Sequence, residues 1–325
     1  MWYHIDYDEV LPCAVCYSCK RIFCGCAHRI PSFSDRNAVK IGVVSLASFE
    51  GVFIVEQLLQ KMKSLLLNLY RGRHILKTMV IKDMKSKYTG SLFGPFWMFA
   101  APLYQILLYT FIFSLILKVR FEEGMGTSSF VIYFLAGLIP WTFFAETTSR
   151  GVSVFIENAH IIKKVKIPME VCVASLLVSS SVTFFIYAVF YLTMLILMGT
   201  LKLPVFPLVI FPFTIQVLLT LGLCFGLGSI AVFFRDLTQA IGMILNLGFF
   251  LTPIVYPSSA IPERFRWVFD INPFYFIVEI YRDILIRGKF PDAVSFMYPF
   301  VFSLAVFFSG YYVFNKTKGA FKDIL

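Results

Sequence analysis

Six stretches of the chain contain no Asp, Glu, Lys or Arg: Leu92–Leu117, Phe130–Ala145, Val171–Leu201, Leu203–Phe234, Leu237–Pro262 and Ala293–Asn315. No other feature narrows the possible folds as much. A helix needs about 20 apolar residues to cross a hydrocarbon core, and five of the runs reach that length unaided. The second is shorter, but it continues through Thr147–Ile156 with only Glu146 and Arg150 as charges. Those two lie four apart, so they share a helix face and can pair. Within a bilayer, backbone polar groups must be satisfied inside the protein, which leaves helices or closed barrels. The alternation of barrel strands is absent. The sequence therefore predicts an all-α membrane protein with six spanning helices. Its 15% charged residues fall well below the ~25% of soluble domains, in agreement with that reading.

Orientation follows from Lys and Arg, which favour the cytoplasmic side. With the N-terminus inside, the cytoplasmic segments hold Lys61, Lys63, Arg71, Arg73, Lys77, Lys82, Lys85, Lys87, Lys163, Lys164, Lys166, Arg235, Lys316, Lys318 and Lys322. The outer segments hold fewer: Lys118, Arg120, Lys202, Arg264, Arg266, Arg282, Arg287 and Lys289. Glu122, Glu123, Glu263, Asp270, Glu279, Asp283 and Asp292 largely neutralise the outer set. Both termini are expected in the cytoplasm. The net charge of +10 reflects this asymmetry and attraction to anionic lipid headgroups, and it is not a nucleic-acid footprint.

Three regions are expected. Residues 1–61 form a leader with neither a clean signal-peptide core nor amphipathic order. Their Cys13, Cys16, Cys19, Cys24, Cys26 and His28 have ligand-like spacing, but the second cluster across a longer loop that a zinc site usually needs is missing. The leader is expected to be disordered and outside the working protein, with Met62 as the start. Residues 62–90 read as an amphipathic helix in the cytoplasmic interface. Met62, Leu65, Leu66 and Leu69 share one face, which Ile75, Leu76, Met79 and Val80 continue past Gly72. An ordinary charged flank of the first span is the alternative. Residues 91–325 hold the spans.

Within that third region, Pro140 of Gly137-Leu138-Ile139-Pro140-Trp141 should kink or interrupt the second span. Gly222, Gly226 and Gly228 predict close helix approach. Between the second and third spans, Asn158–Pro168 is short, basic and apolar at intervals. A connection that only returned the chain would not need Ile161, Ile162, Val165 and Ile167 among its lysines. The pattern predicts a cytoplasmic knuckle that docks onto another protein. From Tyr256 to Pro291 the chain is broken by prolines. Asn272-Pro273 predicts a helix start, with Asn as cap and Pro in the first turn. Phe274, Ile277, Val278, Tyr281 and Leu285 form an apolar stripe against Glu279, Arg282 and Asp283. Two short helices dipping into the outer leaflet are expected, with a plain surface loop carrying amphipathic helices as the alternative.

Catalytic chemistry is not visible. No Gly-x4-Gly-Lys-Ser/Thr phosphate loop occurs, so the chain does not bind ATP in that way. Asp6-Tyr7-Asp8 is too short a pattern to carry a metal–nucleotide site, and none of the four histidines pairs with a second ligand inside a span. Cys172 and Cys224 lie in apolar runs and read as small hydrophobes. Glu146 is either a structural partner of Arg150 or an intramembrane transport residue. No metal site is assigned. Aromatics are abundant, at 18%. Flat rings pack on the apolar faces of sugars, which makes Trp97, Tyr104, Trp141, Phe143, Phe144, Phe250 and Tyr256 candidates to line a glycan path; lipid contact or helix packing is the plainer reading of each.

From about Leu69 onward, the sequence resembles the membrane subunit of bacterial ABC exporters for O-antigen, capsule and teichoic acid. The resemblance rests on Tyr70-Arg71, the Lys82-Asp83-Met84-Lys85-Ser86-Lys87-Tyr88 run, Ser91, Gly94, Trp97 and Gly137–Trp141. It continues in Asn158-Ala159-His160-Ile161-Ile162-Lys163-Lys164-Val165 with Pro168, in Phe233–Asp236, Thr252–Tyr256 and Asn272-Pro273. It implies a homodimer bound to two ATPase subunits that hold ATP and magnesium, and a lipid-linked polysaccharide as cargo. It also implies an interface helix carrying Tyr70, Arg71, Lys82, Asp83, Lys85 and Tyr88, and a coupling element at His160, Ile161, Ile162, Lys163, Lys164, Val165, Lys166, Ile167 and Pro168. Outer gate helices would hold Asn272, Pro273, Phe274 and Tyr281. Met169 stands where the family often has Arg, and Gly319 where a charge is usual. A type-2 exporter of drugs or small lipids, and a membrane-embedded glycan transferase, are the competing functions; the outer segment argues against the first and the missing acid or His pairs against the second.

Overall fold

The computed structural model describes residues 63–87, 89–116, 128–164, 168–200, 204, 206–258 and 261–324. The expected leader, Tyr88 and Val165–Ile167 lie outside the described residues, as does any cysteine cluster. Among the described residues every regular element is helical. Four helices are long and apolar enough to cross a membrane: Phe130–Glu157, Glu170–Leu197, Phe206–Phe233 and Ala293–Thr317. These correspond to the second, third, fourth and sixth uncharged runs.

The other two runs fold into shorter pieces. The first gives a turn at Gly94–Phe96, α3 (Trp97–Thr110) and a π-helical extension at Phe111–Ile116. The fifth gives α8 (Leu237–Phe250), a shorter apolar helix followed by turns and bends through Tyr256. Pro253 cannot donate to a helical ladder, and both Pro253 and Pro257 disfavour helix in the residue before them. An apolar run long enough to span is therefore cut short by its own prolines.

Residues 63–71 form α1. It is followed by α2 (Arg73–Ser86), α4 (Ser128–Glu157), α5 (Ala159–Lys164), α6 (Glu170–Leu197), α7 (Ile210–Phe233), α9 (Arg266–Asp270), α10 (Pro273–Arg282), α11 (Ala293–Thr317) and α12 (Phe321–Ile324). The centre of the fold is α7, packed most extensively on α11 and α4. Its glycines make that packing possible. A Cβ on Gly310 would lie 2.0 Å from the Gly222 carbonyl oxygen, and one on Gly222 would lie 2.6 Å from the Phe307 backbone. On the opposite face, a Cβ on Gly228 would lie 2.7 Å from the Gly151 carbonyl oxygen. Backbones this close gain dispersion contacts that lipid cannot supply, as small-residue helix interfaces do in membranes.

The interface region departs from the expected stripe. Leu65 is buried and Leu69, Ile75, Leu76, Met79 and Val80 are half-buried, but Leu66 is exposed. The helix is interrupted by a turn at Gly72, where a Cβ would meet the Val171 side chain at 2.5 Å. Beyond that turn, α2 packs on α6.

Candidate functional site

Two polar stations sit at opposite ends of α4. The first joins α2 to α4 and α6. Lys87 Nζ lies 2.7 Å from Glu146 Oε1, and Arg150 Nη1 lies 3.5 Å from the same oxygen. Arg150 Nη2 also donates to Asp83 Oδ1, while the Ser179 hydroxyl donates to Asp83 Oδ2. The Glu146–Arg150 pair read from the sequence is therefore the middle link of a four-charge chain. The end links come from Asp83 of α2 and from Lys87 at its C-cap, in the run that carried part of the resemblance. Charge is balanced two against two, which matters at the edge of a low-dielectric region.

A second contact at this end was not legible from local sequence. Glu170, in the first turn of α6, is buried and accepts from Asn68 Nδ2 at 3.3 Å and Lys318 Nζ at 3.5 Å. Its position at a helix N-terminus favours the negative charge. The only sequence signal was an acid directly after Pro168-Met169.

The knuckle itself is helical over α5. Asn158 begins it: its carbonyl accepts from the Ile161 and Ile162 amides at 2.9 and 3.0 Å, and its side chain donates to the Val154 carbonyl at 2.8 Å. His160 and Lys163 are exposed, Ile161 is half-buried, and Ile162 is only 5% exposed. Ile162 packs inward with Leu65, Val154, Phe155, Phe314 and Phe321. Phe321, from α12, is fully buried with its ring 5.1 Å from that of Phe155. Ile162 thus fixes the knuckle to its own protein, and the exposed face is carried by His160 and Lys163. Pro168 is half-buried. A polar pocket of about 190 Å³ lies between the knuckle and α2, lined by Lys82, Asp83, Arg150, Glu157, Asn158 and His160. Of the remaining interface-helix candidates, Tyr70, Arg71, Lys82 and Lys85 are exposed, and the Arg73 guanidinium sits 4.7 Å over the Tyr70 ring.

The second station is built by α10. Asn272 caps it as expected: its Oδ1 accepts from the Phe274 amide at 3.0 Å, with Pro273 in the first turn. Its Nδ2 reaches Thr252 Oγ1 at 2.9 Å, which ties α10 to the end of α8. Phe274, Ile277, Val278, Tyr281 and Leu285 are all buried. The expected polar face is corrected at Arg282, which is fully buried rather than facing water. Its guanidinium lies 2.8 Å from Glu279 Oε1 and 3.5 Å over the centre of the Tyr133 ring, and it donates to the Ile254 carbonyl at 3.4 Å. Arg287 also pairs with Glu279, at 3.0 Å, and with Asp283 at 2.5 Å.

Gly137 leaves the room for Arg282, since a Cβ there would lie 3.1 Å from Arg282 Nη2 and 3.1 Å from Val278. One turn on, Gln216 of α7, itself buried, donates to the Pro140 carbonyl at 2.8 Å and accepts from the Tyr281 hydroxyl at 3.2 Å. The Gly137–Pro140 segment is thus the seat of α10 on α4.

The aromatic candidates divide. Trp141, Phe143 and Phe144 are buried, with Trp141 edge-on to Phe274 at 5.2 Å. Trp97, Tyr104 and Phe250 are exposed, and Tyr256 is half-buried. Among the described residues no group of three or more His, Cys, Asp or Glu is placed to hold a metal ion.

Four long apolar helices, three of them packed through glycines, a basic helix pinned at one end and a capped helix seated at the other define a multi-pass helical membrane protein. A model of the ABC-2 type transporter family matches residues 74–286, and the chain belongs to that family as its membrane subunit; in this family ATP is bound by a separate ATPase partner. It is 30% identical to the O-antigen export system permease protein RfbA of Klebsiella pneumoniae over 256 residues, covering 77% of this chain and 95% of that protein. The protein of the same name from Myxococcus xanthus is 27% identical over 261 residues, 78% of this chain and 96% of that protein. The polysialic acid transport protein KpsM of Escherichia coli is 21% identical over 247 residues, 75% and 94%.

Proposed function

We propose that the chain is the membrane subunit that carries a lipid-linked surface polysaccharide, of the O-antigen or capsular type, outward across a bacterial inner membrane. The observation that carries this reading is the likeness to polysaccharide export permeases along nearly their whole length. Two copies form the path and two ATPase subunits drive it. Six spans are completed by α3 with its extension and by α8. Both termini lie in the cytoplasm, and α9 and α10 dip into the outer leaflet.

ATP-driven closure of the partner presses on His160 and Lys163. Because Ile162 is locked into the inner core, the push passes to α4 and α6 rather than bending α5 alone. Asp83 and Lys87 bring the interface helix along through Arg150 and Glu146. At the far end, α4 carries the seat of α10, so Asn272, Phe274 and Tyr281 yield at the outer mouth. Exposed Trp97, Tyr104, Phe250 and Tyr256 offer flat faces for sugar rings, while buried Trp141, Phe143 and Phe144 shape the wall behind them. Deleting the chain in its host should leave lipid-linked glycan trapped on the cytoplasmic leaflet. Surface glycan at the parental level in that strain would refute the assignment.

A further inference from the structure

Beside the second station is a cavity of about 120 Å³ that neither the ion pairs nor the glycine crossings require. Its wall is made by Pro140 of α4, Phe185, Ala188 and Tyr191 of α6, and Tyr281 and Leu285 at the outer helix. The wall exposes no polar atom to the space. Its two tyrosines turn their hydroxyls elsewhere, Tyr191 to the Ile132 carbonyl at 3.0 Å and Tyr281 to Gln216 at 3.2 Å. A buried water needs two to four polar partners, whereas dry apolar cavities of comparable size take up small hydrocarbons.

The cavity also has a hydrocarbon-facing side. Phe185, 51% exposed, stands in a charge-free stripe of α6 with Val178, Val182, Val189 and Ile196, all exposed at helical spacing. On a bilayer-spanning helix such a stripe meets lipid tails. The cavity is far too small for a helix of another protein, and a slender chain fits it.

We propose that this cavity binds the acyl tail of a bilayer phospholipid, which enters beside Phe185 and Ala188 and ends against Tyr281 and Leu285. The tail fills the space behind α10 that would otherwise be void, so a membrane lipid becomes part of the seat of the outer helix. This site is independent of the cargo assigned above.

The test uses the full chain with its ATPase partner in vesicles of phosphatidylethanolamine and phosphatidylglycerol, the latter bearing a photoactivatable diazirine at its acyl terminus. Illumination should label Tyr281 and Leu285, which line the cavity and are buried from bulk lipid. Ala188→Leu, which fills the space, should lose that label while the exposed lipid-facing residues Val301 and Phe302 of α11 keep theirs; Ala188→Met serves if the leucine variant does not fold. Undiminished label in the filled variant would overturn the proposal, as would absence of label in the parent. Labelling by a diazirine polyisoprenoid but not by the phospholipid would overturn it in favour of the cargo carrier. Reaction of Ala188→Cys with a membrane-impermeant thiol reagent would show a wet cavity, and a disulfide between two copies at that cysteine would show a protein interface; either result overturns it.

Discussion

The two ends of α4 solve the same problem, holding another helix against a membrane span, with different chemistry. At the α2 end the partners are charges with partial access to water: Asp83, Lys87, Glu146 and Arg150 have side chains between 21% and 36% exposed. At the α10 end the centre is dry, with Arg282 and Gln216 fully buried and Glu279 14% exposed, and only the rim residues Arg287 and Asp283 reach water. Partly solvated ion pairs contribute little net stability and can exchange partners. Removing one member of a dry cluster leaves a desolvated group with nothing to replace it. The α2 contact is therefore suited to repeated adjustment, and the α10 contact to a defined seat.

The largest expected effect tests the dry end. Arg282→Ala should destabilise the protein by about 3–5 kcal/mol, the range for breaking a buried charged pair, even though Arg287 remains on Glu279. Thermal unfolding in lipid nanodiscs measures it, and a midpoint unchanged from the parent would remove the distinction between the two ends. Next comes the knuckle. Ile162→Ala should cost about 2–4 kcal/mol as a buried large-to-small change, while Lys163→Glu on the exposed face should leave unfolding unchanged and weaken binding of the ATPase partner. Equal stability loss in both variants would contradict the inward placement of Ile162.

Gln216→Leu should cost about 1–3 kcal/mol, because the Tyr281 hydroxyl is left buried without its acceptor. It should also raise the leak of a small solute through the complex if α10 loosens; a tight complex with lowered stability would assign Gln216 to packing alone. The smallest stability effect belongs to Asp83→Asn, about 1 kcal/mol or less for a partly exposed pair. Its expected signature is functional, with ATP hydrolysis retained and export reduced. Export that keeps pace with hydrolysis in this variant would show that this chain of charges is merely structural.

Much of this was readable from the chain. The uncharged runs marked all four long spans, because burial in hydrocarbon demands length and forbids unpaired charge. Gly222, Gly226 and Gly228 pointed to a close crossing, and Asn272-Pro273 marked the start of α10, since caps and glycine contacts depend on short-range stereochemistry. The pairing of Asp83 with Arg150, 67 positions away, was not readable, nor was Glu170 with Asn68 and Lys318. The sequence offered Glu146 and Arg150 to each other, and the fold gave each a second partner from α2. Arg282 read as a polar-face residue because helical periodicity knows only one helix, while its burial depends on Tyr133 and Ile254 arriving from two other places.

By itself, then, the sequence determined the class of solvent, the helical backbone, the long spans, the cap of α10 and the close crossings, all of which follow from composition and local geometry. It also marked Asn158–Pro168 as a segment too apolar to be a plain connection. Only the tertiary structure decided that Ile162 faces inward and His160 and Lys163 outward, that α4 carries a wet station at one end and a dry one at the other, and that Gly137 exists to admit a buried guanidinium. Those outcomes depend on which distant side chains share a desolvated space, and no periodicity within one helix encodes that.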